Sequence, residues 1–330
     1  MASFSRKTGI VGALVIASVL IVGAYFASSP NFSFFSPNTA NAESTQALLK
    51  AYAQKSSAGD GLPDWEAVLY GLDPHNPHSF SPDMTNAEAV ARGLVKPKFT
   101  TAIATTTDIS TVPGTVAAPD TLTDQFAQNL FNQYISQSNG TQPSDADIAK
   151  FAQDAIQSLV QNHAKQDIYT QSDVRVSGEG PAALTAYAVS AEAAFAKDTT
   201  DNGKSGIDYF AEAVEQNKTD SLKRVASIGK SYAAMPPTLI QMNVPKETQY
   251  AHREIANALV RIGADFTDMS MMDTDPLRAY LGLAAYDTDS AALTQGFADM
   301  NIVFKNERVT FKKGEPGYDF YSTTKLTESP

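Results

Sequence analysis

The chain has 330 residues, no cysteine and a formal net charge of −11. It is long enough for one large domain or two ordinary ones, and its 43% hydrophobic residues can bury a sizeable core. The lack of cysteine excludes disulfides, thiolate metal sites and cysteine nucleophiles, and the acidity argues against nucleic acid, whose phosphates need a basic face.

Residues 1–8 form a short tail ending in Arg6 and Lys7, and Gly9 to Ala27 then carries no charge. At about 1.5 Å per residue that run nearly crosses a hydrocarbon core of roughly 30 Å. No further basic residue follows until Lys50, so the charge asymmetry predicts a single-pass anchor with a cytoplasmic N-terminus and residues 28–330 extracytoplasmic. Tyr25 and Phe26 suit an interfacial belt. The competing reading is a signal peptide cleaved at Ala40-Asn41-Ala42. That site lies far beyond the apolar run, where a cleavage region is usually close, so an uncleaved anchor is the better expectation. Residues 28–42 lack periodicity, contain prolines and read as a stalk.

Residues 43–95 form the next unit. A short helix is expected over Ala42–Lys55, with Leu48, Leu49 and Tyr52 on one side. Asp60-Gly61-Leu62-Pro63-Asp64-Trp65-Glu66 follows, then Tyr70-Gly71-Leu72-Asp73-Pro74. This stretch resembles the thrombospondin type 3 repeats and related short calcium loops of bacterial surface proteins, whose pattern is D-x-D-x-D-G-L-x-D-x-x-E followed by G-x-D-P. The resemblance implies calcium, which takes six to eight oxygen ligands. Here Ser56 and Ala58 hold the first and third ligand positions, Asp60 and Asp64 the fifth and ninth, and Ala67 the twelfth. In a second repeat the positions fall on His78, Phe80, Pro82, Asn86 and Ala89, of which only Asn86 offers an oxygen. The packing residues Leu62, Trp65, Val68 and Leu69 persist. The expectation is therefore a degenerate module that keeps its packing and has lost its metal. Asp60 and Asp64 are its remaining metal candidates, expected to serve as turn and helix-cap residues. His75 and His78 lack the framework that would fix a zinc site and read as a solvated loop.

Residues 96–120 are rich in Thr, Ala and Pro and read as a linker. Beyond it the periodicity is helical. Leu122, Phe126, Leu130 and Tyr134 are spaced by four, and Ile148, Phe151, Ala152, Ala155, Ile156 and Leu159 form a stripe behind a Ser144/Asp147 cap. Further stripes are Leu184–Tyr187–Ala188–Ala191–Phe195, Ile255–Leu259–Ile262–Phe266, Leu277–Tyr280–Leu281–Ala284 and Leu293–Phe297–Met300–Phe304. Pro236-Pro237 predicts a kink or break within Leu222–Met242. Asp173–Val176 and Arg308–Phe311 look like short strands. The fold class is thus mainly α: a transmembrane helix, a short degenerate loop module, and an antiparallel helical bundle of about six to eight helices over residues 121–330.

Chemistry-bearing patterns are few. Asp198 to Asn202-Gly203 approaches an EF-hand opening, but Tyr209 stands where the closing glutamate belongs, so a polar turn between helices is expected. His163 ends a helix, where a cation suits the dipole. His252-Arg253-Glu254 lies on a helix without an H-E-x-x-H pattern. Asp265, Asp268, Asp273 and Asp275 are dense enough to share a metal or a raised pKa, and are the best basis for an enzyme reading. The plainer expectation for an aspartate ahead of a proline-led helix is a cap.

Val244-Pro245, Ala251-His252, Asn257-Ala258-Leu259, Asp275-Pro276-Leu277, Leu281-Gly282-Leu283 and Glu315-Pro316-Gly317-Tyr318 after Arg308–Phe311, joined to the anchor and the DGLPDWE/YGLDP loop, carry a second resemblance. Over roughly its whole length the chain is similar to a group of membrane-anchored proteins of candidate-phyla (Patescibacteria-type) bacteria. The resemblance implies a helical, structural body and an envelope setting, in some cases beside pilus or secretion machinery, and names no reaction. The expected role is a membrane-anchored structural or interaction protein with protein partners in the envelope and no enzymatic activity. A calcium-responsive surface module and an enzyme with a carboxylate site are the alternatives.

Overall fold

A computed structural model of the chain describes residues 51, 54–95, 121–126, 158–159, 161–198 and 204–325. The expected anchor, stalk and linker, and most of the Ile148–Leu159 stripe, lie outside them. No helix among the described residues is long and apolar enough to cross a membrane.

The described chain is mostly helical. The loop module holds two short helices, α1 (Asp64–Leu69) and α2 (Asn86–Ala91). They end alike. The amides of Gly71 and Leu72 turn back to the carbonyls of Val68 and Ala67, and those of Gly93 and Leu94 to Val90 and Ala89. Gly71 and Gly93 both have positive φ, the left-handed position that closes a helix and that glycine fills without a Cβ penalty. Thr85 and Glu88 form a capping box at the start of α2. Leu62, Ala67, Tyr70, Leu72 and Val90 make a small core between the two helices.

The body contains α3 (Gly180–Asp198), α4 (Gly206–Glu215), α5 (Asp220–Ile240), α6 (Gln249–Met269), α7 (Pro276–Asn306) and α8 (Tyr318–Lys325). Their buried residues follow the sequence stripes. Leu184, Tyr187, Ala188 and Ala191 line the inner face of α3, and Ile255, Leu259, Ile262 and Phe266 that of α6. The two stripes beginning at Leu277 and Leu293 belong to one long helix, α7, which Asp275 caps through the Arg278 amide with Pro276 at the first helical position.

Helices α5, α6 and α7 are the spine. Gly282 of α7 lies against Asp265, Asp268 and Met269 of α6, and Gly296 against Ile255, so the two helices run antiparallel. Gly229 of α5 meets Gly263 and Thr267 of α6, and Gly263 in turn meets Ala233. A Cβ on Gly263 would stand 2.9 Å from the Ala233 amide nitrogen, so only glycine permits this approach. Two cores are strung along the spine. One joins α3 and α8 to the end of α5, the start of α6 and the end of α7, and is rich in edge-on aromatic pairs such as Phe304 with Tyr321. The other joins α4 to the start of α5, the end of α6 and the start of α7.

Three local expectations need correction. The helix runs through Pro236-Pro237 to Ile240 without a break. The prolines remove only the donors that would meet the Tyr232 and Ala233 carbonyls. At the helix end the buried Leu239 carbonyl accepts from the Met242 amide at 2.9 Å and from Nε2 of His252 at 3.1 Å. Asp173 closes a 3-10 turn (Gln171–Asp173), and only Arg175–Val176 is strand (β1), paired in parallel with Asn243–Val244 (β2). Arg308–Phe311 is not a strand. Arg308, with φ of 56°, takes the left-handed position after α7, and the Val309 amide returns to the Phe304 carbonyl at 2.8 Å.

Candidate functional site

The acidic cluster sits where α6 hands over to α7. Asp265 and Asp268 lie one turn apart on the buried side of α6, while Asp273 and Asp275 lie in the turn that follows. All four are at least half-buried, and Asp265 is fully shielded from solvent. The four do not converge on one point. Asp265 and Asp268 share one upstream segment, and Asp275 and Asp273 hold two others.

Asp265 and Asp268 hold residues 163–165. Nζ of Lys165 lies 2.9 Å from Asp265 Oδ1 and 2.7 Å from Asp268 Oδ2, and Nε2 of His163 lies 2.8 Å from Asp268 Oδ2. Burial pushes the Asp265 carboxyl up to about 8, against Lys165 and with help from Asp289. Burial also works to raise Asp268, but the His163 hydrogen bond and Lys165 outweigh it and hold its carboxyl below the ordinary range. For Lys165, burial is outweighed by the two aspartates, so its ammonium is held more firmly than usual. Arg261 adds a second bridge. Its Nε lies 2.5 Å from Asp289 Oδ1 on α7, and its Nη1 pairs with Asp167. Asn257, fully buried on α6, completes the clasp. Its Oδ1 accepts from the amides of Ile168 and Tyr169, and its Nδ2 donates to the Tyr169 carbonyl.

Asp275 holds residues 121–123. It accepts from the amides of Leu122 at 2.8 Å and Thr123 at 3.0 Å and from the Thr123 hydroxyl at 2.7 Å, besides capping α7. Asp273 faces the loop module, with its Oδ1 3.6 Å from Nε2 of His75. Burial raises the Asp273 carboxyl, opposed by His75 and Lys55.

The module's own candidates are also engaged. Asp60 Oδ1 accepts from the Leu62 amide at 3.0 Å, an Asx turn, and its Oδ2 from the Ala87 amide of α2 at 3.3 Å, so it ties one half of the module to the other. Asp64 does not cap α1. Its Oδ1 accepts from the Ser57 amide at 2.6 Å, and its Oδ2 meets the Ser57 hydroxyl at 2.6 Å and Nζ of Lys55 at 3.0 Å. Asn86 binds the 73–80 turn, accepting from the Ser79 hydroxyl and the Phe80 amide and donating to the Asn76 carbonyl. Both faces of each carboxylate are thus turned to the protein. Calcium needs six to eight oxygens, and these residues do not fit it. Among the described residues, no three His, Asp or Glu side chains are grouped to hold a metal.

His252 is a buried core residue. It accepts at Nδ1 from the Tyr187 hydroxyl at 2.8 Å and donates from Nε2 to the Leu239 carbonyl. Burial pulls its pKa down to about 4, against the Leu239 hydrogen bond, so it is neutral at pH 7. Ser205 and Asp208 form a capping box at the start of α4, and residues 199–203 of the EF-like pattern lie outside the described residues.

Sequence reasoning singled out the aspartates but missed Lys165, Arg261, Asp289, Asn257 and Lys55. None of these stands in a motif with its partner, since Lys165 and Asp265 are joined only by the fold. The one local signal was a lone lysine just ahead of the module's first turn. Comparison with protein families, with curated proteins and with solved structures finds no match for this chain.

Proposed function

We propose that this chain is a membrane-anchored, extracytoplasmic structural or interaction protein whose partners are other proteins of an envelope assembly, of the pilus or secretion type. Residues 9–27 are its single membrane pass, and residues 121–330 its helical bundle of about six to eight antiparallel helices. The observation that carries the reading is the division of the acidic cluster. The four side chains best placed for chemistry are divided among three upstream segments, which they secure to α6 and the turn after it. The result supports a rigid body that gathers its own N-terminal segments at one end. The one-sided charge around the apolar run supports the orientation.

The test is crosslinking of the tagged full-length protein in cells, followed by purification in detergent and mass spectrometry. The expected result is a reproducible set of envelope proteins linked through residues 121–330. An unpartnered monomer would overturn the reading.

A further inference from the structure

We infer that Lys55 is the resident cation of the loop module, and that its ammonium, in place of a metal ion, fastens the module to the helical body. The side chain of Lys55 is only 5% exposed. An ammonium has three donors, and three acceptors converge on it. Asp64 Oδ2 lies at 3.0 Å, Asn217 Oδ1 at 2.7 Å, and the Ser57 hydroxyl is in contact. Ser57 Oγ lies in turn 2.6 Å from Asp64 Oδ2 and 2.9 Å from Asn217 Oδ1, so it bridges the other two acceptors in a cage around one nitrogen.

The cage fits an ammonium and no divalent ion. It presents one carboxylate against one positive charge, with three acceptors where calcium would seek six to eight. An ammonium buried without such partners would be strongly disfavoured, so the satisfied donors are what permit its burial. Two walls come from the module itself. The third, Asn217, belongs to the turn between α4 and α5, where its positive φ of 54° fixes it just past the end of α4. The same nitrogen therefore closes the Ser57–Asp64 loop and joins that loop to the body. This inference is independent of the proposed envelope role.

The test is hydrogen exchange by mass spectrometry on the full-length protein in detergent, followed over residues 54–72. For the unaltered protein, exchange is expected to be the same in millimolar calcium and in chelator. Lys55→Ala should speed exchange there at least about tenfold, because it leaves a buried carboxylate unpaired. n-Propylammonium, which matches the deleted atoms, should slow it again, and calcium should not. Asn217→Gly keeps the left-handed backbone and removes only the carboxamide. It should speed exchange over 54–72 by about threefold or more, with α4 and α5 unchanged, which keeps the inference testable if Lys55→Ala fails to fold. Calcium-dependent protection in the unaltered protein or in Lys55→Ala would overturn the inference. So would exchange in Lys55→Ala or Asn217→Gly equal to that of the unaltered protein.

Discussion

Nζ of Lys165 lies 2.9 Å from Oδ1 of Asp265, a carboxylate with no solvent exposure, on a helix a hundred residues further along the chain. The pair joins a segment outside the spine to the middle of it. Burial holds the Asp265 pKa at about 8 even beside the ammonium, so Lys165 offsets only part of the cost of burying that carboxyl while also pairing with Asp268.

Removing the ammonium alone should therefore be costly. Lys165→Met is expected to lower unfolding free energy by about 1–3 kcal/mol in urea titrations at pH 7, because it leaves the buried Asp265 carboxyl without its donor and Asp268 with His163 alone. Lys165→Met combined with Asp265→Leu should recover part of that loss, because the fully buried carboxyl is then gone and Asp268 keeps His163. A double variant as unstable as the sum of the single ones would show that the two residues do not act as a pair.

The same carboxylate sets a pH dependence. Asp265 has its folded pKa raised to about 8, so its contribution is complete below its unfolded value of about 3.9 and is lost as pH rises through about 8. Glu66, raised to about 7 by burial, has the same sign. His252 has the opposite sign. With a folded pKa lowered to about 4, it contributes fully above its unfolded value and loses that contribution as pH falls. Between pH 6.5 and 8.5 Asp265 and Glu66 together should lower stability by on the order of 2 kcal/mol. Asp265→Asn should flatten most of that slope in urea titrations. An unchanged slope would assign it elsewhere.

Tyr187 and His252 make a second buried polar pair, with both nitrogens of the imidazole engaged. Tyr187→Phe keeps the ring packing but leaves Nδ1 without a donor, and should cost about 1–3 kcal/mol. Thermal unfolding measures this, and a neutral effect would mean that water replaces the hydroxyl.

Gly282 brings α7 against α6 beside the acidic cluster. A Cβ there would lie 2.7 Å from the Asp265 carbonyl oxygen and 2.8 Å from the Asp268 Cβ. Gly282→Ala should destabilise by about 1–3 kcal/mol, although alanine favours helix, because backbone atoms must move apart. Stabilisation by this substitution would contradict the close approach.

Arg308 holds a left-handed position that glycine occupies at lower cost. Arg308→Gly should stabilise by about 0.5–1 kcal/mol, with Val309 still closing α7 onto Phe304. A loss of stability would point to a contact made by the arginine side chain.

The sequence by itself determined the helical class and the faces that are buried. The Leu184, Ile255 and Met300 stripes are core because a side-chain period matched to 3.6 residues places them on one side of a helix wherever it packs. Caps were legible for the same local reason, as at Asp275-Pro276 and Ser205–Asp208. Short strands were not. Two residues at Arg175–Val176 become strand only because Asn243–Val244 lies alongside, and Arg308–Phe311 finds no such partner. Tertiary structure alone decided what the aspartates do. Asp265, Asp268, Asp273 and Asp275 read as one cluster in sequence, yet helical rotation and the turn after α6 point them toward Lys165, His163, His75 and Thr123. A carboxylate's role follows from the charge and donors that reach it, and those arrive from segments whose distance along the chain carries no periodic signal.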